Sequence, residues 1–251
     1  MQHRAMLCSR SAVRTGLLRG VFASYIRLEP MSAISEFNAN IDASDRLVAM
    51  YRELRGKRAL GARGVLTAIN QDLLWLPRSA VVASISALDT YVHAVVKARL
   101  PTVFGKAVSP PAALCEQLAQ LITIKNGAAF KEALPLLTAA DTIAGLLAKL
   151  DEKFLRFQSF QAPEKIIEAF RLIGHDAIFE AVSDLWPGPN TTAEHLKRRL
   201  SGYVQRRNQI AHEGDREPGG AARSMQPEYA IACQTFVSNL ALRLNQAVYG
   251  V

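Results

Sequence analysis

Apolar residues recur along this chain with the 3.6-residue period of an α-helix, and few segments alternate with the period of two that a half-buried strand requires. That pattern restricts the fold class to all-α. Helices are predicted at about 43–56, 64–76, 78–99, 111–124, 138–156, 163–173, 175–185, 191–213 and 226–249. Punctuating residues fix several ends. Pro77 should kink or break the helix before it. Pro101 and the pair Pro110 and Pro111 mark a loop, and Trp186-Pro187-Gly188-Pro189-Asn190 reads as a turn. Thr191 or Thr192 can cap the next helix, with Glu194 in its first turn. Gly214 can end that helix in the left-handed conformation.

With 251 residues, 49% of them hydrophobic, the chain has ample material for a core and is too apolar for a disordered class. No uninterrupted apolar run reaches the ~18 residues of a membrane span. The best stretch, Ser79 to Leu88, stops at Asp89, so no membrane partner is expected. The three cysteines, Cys8, Cys115 and Cys233, form no CxxC or Cys/His ligand spacing. A disulfide framework or structural zinc is not indicated, and a reducing, cytoplasmic setting fits best. Cys115 and Cys233 are expected as small buried apolar residues.

The net charge of +8 is uneven. Residues 1–30 carry five arginines (Arg4, Arg10, Arg14, Arg19, Arg27) against Glu29, half of the total excess. This leader has three readings: an organelle presequence, a flexible basic arm, or a start codon placed too early before Met31, of which the last is preferred. Residues 31–63 read as an N-terminal helical extension and residues 64–251 as the main all-α domain. Within it, His195 to His212 holds Lys197, Arg198, Arg199, Arg206 and Arg207 and no acid. Such a run is either a solvated helix face or a phosphate-binding surface.

Two helices carry charge inside their apolar stripes. On the helix 191–213, Leu196, Leu200, Tyr203, Val204, Ile210 and Ala211 form one face, and Arg207 falls within about 20° of Leu200 at its centre. Arg206 falls on the polar side and reads as a solvated cation. An unpaired charge in the position of Arg207 is expensive, so it must meet an acid, an interface or a ligand. Asn208 and His212 are four apart and share a flank of that stripe. On the helix 78–99, Asp89 falls among Val81, Ile85, Leu88, Val92 and Val96, with His93 at its edge. The simplest expectation places Asp89 near Arg207. The alternative is a buried structural pair without chemistry. Asp89 and His93 have metal-ligand spacing but lack a third ligand, so no metal and no cofactor are expected.

The string Arg207-Asn208-Gln209-Ile210-Ala211-His212 resembles the R-x4-6-H motif of the HEPN superfamily (higher eukaryotes and prokaryotes nucleotide-binding domains). Three segments are similar to its RiboL-PSP-HEPN branch: Ser86 to His93, Phe157 to Ile166, and Arg206 to Asp215. The likeness spans about residues 65–250. It implies a HEPN-like helical bundle with extra helices, dimerised so that two motif copies share a cleft. Many such domains are metal-independent endoribonucleases of toxin–antitoxin or phage-defence systems. Carried over, Arg207 and His212 are the catalytic pair, Asn208 their polar support and Asp89 an accessory acid. Gly214 stands where many toxins of this kind carry a Tyr two residues after the His, so regulation by modification of that Tyr is not implied.

The function this implies is RNA cleavage to a 2′,3′-cyclic phosphate, with an antitoxin or defence-system partner. An imidazole can move the protons and a guanidinium can hold the phosphate oxygens. Lys197, Arg198, Arg199 and Arg206 would bind the RNA backbone. The competing class is a non-catalytic helical dimer that binds nucleic acid or a protein partner, with Arg207 at its interface or core.

Overall fold

A computed structural model describes residues 32–250, except 62–63, 107–108, 123–125, 139–140 and 189–190; the basic leader 1–30 lies outside the described residues. Among the described residues there are nine α-helices and no strand, only a single β-bridge between Arg216 and Ala222. The helices are α1 (Ala33–Lys57), α2 (Trp75–Lys106), α3 (Ala112–Leu121), α4 (Gly127–Leu137), α5 (Thr142–Lys153), α6 (Pro163–Arg171), α7 (Ile178–Asp184), α8 (Ala193–Glu213) and α9 (Pro227–Tyr249).

α2 is the central element and packs against α1, α5, α6, α8 and α9. Val81, Ile85, Leu88, Val92, Val95 and Val96 are fully buried along it. Burying one such side chain contributes roughly 1.5–3 kcal/mol. α9 supplies Cys233, Phe236, Val237, Leu240 and Leu244 to the same core, and α8 supplies Leu196, Leu200, Tyr203 and Ile210. α1, expected as an extension, belongs to this core through Phe37, Ile41 and Val48. Two serines let α1 and α2 approach closely: Ser84 Oγ lies 2.9 Å from Ser44 Oγ, and Ser44 Oγ donates to the Ala80 carbonyl at 3.0 Å.

Several boundaries differ from the sequence expectation for identifiable reasons. The helix expected at 64–76 is a 3₁₀ segment over Ala68–Leu74, and α2 begins at Trp75. Pro77 thus sits in the first turn of α2, where its missing N–H removes no intrahelical bond. Pro101 lies inside α2 instead of in a loop. α4 was not expected, because Gly127 and Pro135 both read as helix breakers. It forms behind Asn126, whose side chain accepts from Ala129 N at 2.9 Å. Cys233 is buried as expected, but Cys115 is exposed.

The span Ala68–Phe104 is long and apolar enough to cross a membrane by length and composition. Of its most apolar window 56% is buried within the bundle, as in the core helix of a packed domain. α4 and α5 carry a different apolar surface, where Phe130, Leu134, Leu137 and Ile143 are exposed.

Candidate functional site

α8 starts and stops as its sequence dictates. The Thr192 hydroxyl accepts from His195 N at 3.2 Å, and Gly214 closes the helix in the left-handed region at φ 62°. Its apolar stripe is buried at Leu196, Leu200, Tyr203 and Ile210 but emerges toward its C-terminal end. Val204 and Arg207 are half-buried and Ala211 is exposed. Asn208 and His212 are exposed beside them. Arg207 donates to Asn208 Oδ1 at 3.1 Å, while its Nε is buried without an acceptor. Among the described residues the guanidinium is therefore held by one neutral amide and meets no carboxylate. Arg207 and His212 are five residues apart, so the helix turns them about 140° away from each other.

Asp89 does not join this group, contrary to the expectation that it faces Arg207. Its Oδ1 accepts from Phe160 N at 2.6 Å and its Oδ2 from Gln161 Nε2 at 3.1 Å. His93 Nε2 lies 3.8 Å from the same carboxylate and also reaches the Gln158 carbonyl at 3.2 Å. The charge in the α2 stripe thus straps the 158–161 segment to the bundle.

Arg206 also departs from its expectation as a solvated RNA-binding cation. Only 14% of its side chain is exposed, and it pairs with Asp215 at 2.8 Å and donates to the Ser224 carbonyl at 2.7 Å. Asp215 is fully buried and receives a second arginine, Arg78, through Nε. Arg78 Nη2 donates to the Arg223 carbonyl at 2.8 Å. Together these contacts clamp the 215–224 loop onto the start of α2 and the side of α8. Sequence reasoning missed Arg78, although the signal was present. It lies seven residues before Ile85, within about 20° of the centre of the α2 stripe. Asp215 lies in a loop, where no periodicity marks it.

The other three basic residues stay available to different degrees. Arg198 is exposed. Arg199 is exposed with its guanidinium stacked over Phe236 at 4.9 Å from the ring centroid. Lys197 is half-buried, 3.7 Å from Glu180 Oε1. Among the described residues no three His, Cys, Asp or Glu side chains converge to hold a metal ion.

Comparison with protein-family models, with curated proteins and with solved structures returns no match to this chain.

Proposed function

We propose that this protein is a HEPN-like, metal-independent endoribonuclease that acts as a homodimer in the cytoplasm, within a toxin–antitoxin or phage-defence system. One observation carries the reading. The apolar stripe of α8 surfaces where it holds Arg207, with a buried Nε that lacks an acceptor, and Asn208 and His212 lie exposed at its rim. A second copy laid against Val204, Arg207 and Ala211 would cover apolar surface and bring two Arg207–His212 pairs into one cleft.

The chemistry follows from the side chains. One His212 takes the proton from a ribose 2′-hydroxyl, whose oxygen attacks the adjacent phosphorus. The second His212 protonates the departing 5′-oxygen. Arg207 holds two phosphate oxygens as negative charge builds. Asn208, already bonded to Arg207, fixes the direction of the guanidinium. The products are a 2′,3′-cyclic phosphate and a 5′-hydroxyl. Arg198, Arg199 and Lys197 track the RNA backbone, with affinity that falls as salt rises.

The test is an assay of purified protein on single-stranded RNA with EDTA present. Wild type should cleave, and His212→Ala should reduce the rate at least about a hundredfold. Equal cleavage by both proteins would remove His212 from the chemistry. The non-catalytic dimer is favoured by the separation of Arg207 from His212 around the helix. It predicts no cleavage, together with loss of the dimer in Arg207→Ala.

A further inference from the structure

A cleft of about 580 Å³ opens between the 64–74 segment and the 222–228 segment, a volume within the range of small-molecule sites. Its wall combines Arg55, Arg223 and Ser224 with apolar Leu66, Leu74 and Met225. Neither Arg207 nor His212 lines it.

Arg55 is the unusual member. It is 6% exposed. Its Nε donates to the Gly61 carbonyl at 2.6 Å, its Nη1 to the Tyr51 hydroxyl at 2.8 Å, and its Nη2 to the Gly64 carbonyl at 3.1 Å. These are all neutral oxygens. They satisfy donors but leave the charge without a counter-ion, which is costly for a buried cation. Among the described residues Arg55 meets no carboxylate. Arg223 pairs with Glu217 at 2.8 Å and Glu213 at 3.4 Å, yet its Nε is buried without an acceptor.

The charge balance of the surroundings points the same way. Among the described residues, Arg55, Arg78, Arg206 and Arg223 are buried or largely buried here, against one buried carboxylate, Asp215. Glu213, Glu217 and Glu228 are exposed, where solvent screens them. A second concavity of about 310 Å³ shares Ser224, Met225 and Gln226 with the first and adds Arg206. The N-terminus of α9 opens on the same wall at Pro227 and Glu228; it has no side-chain cap, and Tyr229 N donates to the Gln226 carbonyl at 3.1 Å.

We propose that this cleft binds a small organic phosphate of about mononucleotide size, with its phosphate on Arg55 and Arg223 and its organic body against Leu66, Leu74 and Met225. Guanidinium groups match phosphate oxygens in geometry and charge, and an anion here supplies the counter-charge that Arg55 lacks. The proposal stands apart from RNA cleavage, because the two sites share no residue.

The full chain is titrated with AMP, inorganic phosphate and adenosine by calorimetry, and hydrogen exchange maps the bound state. AMP should bind at least about tenfold more tightly than adenosine or inorganic phosphate. Amides in 64–74 and 222–228 should gain protection. Arg223→Gln should weaken AMP binding at least about tenfold without loss of the ligand-free fold, since its partners Glu213 and Glu217 are solvated. Arg55 is left intact, because it also holds the Gly61 and Gly64 carbonyls. Equal binding of AMP and adenosine, or of AMP and inorganic phosphate, would overturn the proposal. So would protection confined to other segments, or unchanged affinity in Arg223→Gln. Loss of RNA cleavage in His212→Ala is measured separately and bears on neither outcome.

Discussion

Helical periodicity places three charged side chains, Arg78, Asp89 and Arg207, in apolar stripes, and each ends differently. Asp89 meets a backbone N–H and an amide across the bundle. Arg78 meets the buried carboxylate of Asp215. Among the described residues Arg207 meets only the amide of its neighbour Asn208. The first two are therefore accounted for by packing, whereas among the described residues Arg207 meets no carboxylate. The Asp215 cluster yields a prediction at this scale. Asp215→Asn keeps the shape of the side chain, and Asn tolerates the left-handed backbone of this position, at φ 55°. The substitution removes the charge and turns one acceptor oxygen into an NH2 donor, leaving Arg78 and Arg206 buried without a counter-ion. Stability should fall by about 3 kcal/mol or more, read as a lower urea midpoint. A change within about 0.5 kcal/mol, the range of ordinary surface substitutions, would show that the clamp does not depend on that charge.

At the scale of elements, the long amphipathic segments were legible and the short breaks were not. α8 and α9 follow from long apolar stripes with a Thr192 cap, a Gly214 stop and a Pro227 start. α4 was hidden by Gly127 and Pro135, because local propensity argues against a helix that packing against α5 sustains. The site was half legible. Periodicity isolates Arg207 with Asn208 and His212, but nothing in a stripe shows that the 158–161 segment will claim Asp89. The turn between α6 and α7 carries a pH-dependent term of its own. His175 N donates to the Phe170 carbonyl at 3.0 Å, and its ring meets the edge of Phe170 at 6.5 Å between centroids. Burial lowers its pKa below the ordinary value, Arg99 lowers it further, and Asp176 acts in the opposite direction. The unfolded chain, with an ordinary value of about 6.5, takes up the proton first as pH falls. Its contribution is thus full above that value and is lost as pH drops through the lowered folded value. Thermal midpoints measured from pH 8 to pH 5 should fall more steeply for wild type than for His175→Gln. Parallel curves would show that this ring does not couple to folding.

At the scale of the whole molecule, the decisive question for the proposed nuclease is how many copies of α8 would build one reaction centre. Within a single chain the helix turns Arg207 and His212 about 140° apart, and a single imidazole cannot both take the 2′ proton and deliver one to the 5′-oxygen in the same step. In the proposed dimer, two copies related by a twofold axis would place the same surface on both sides, so that each would supply one His212 and one Arg207 to a shared cleft. This arrangement makes a quantitative prediction. Wild type is allowed to exchange subunits with an equal amount of His212→Ala. Random pairing leaves only about a quarter of the dimers with two wild-type subunits. If both imidazoles are needed, the total RNA cleavage should fall to about half of that given by the same wild type alone, even though no wild-type chain has been removed. If each subunit acts independently, mixing leaves the total unchanged. Light scattering on the mixture confirms that dimers persist, and a tagged variant confirms that subunits have exchanged. Unchanged activity after proven exchange would exclude the shared cleft and confine the chemistry to one chain, where the geometry of α8 gives it only one proton carrier.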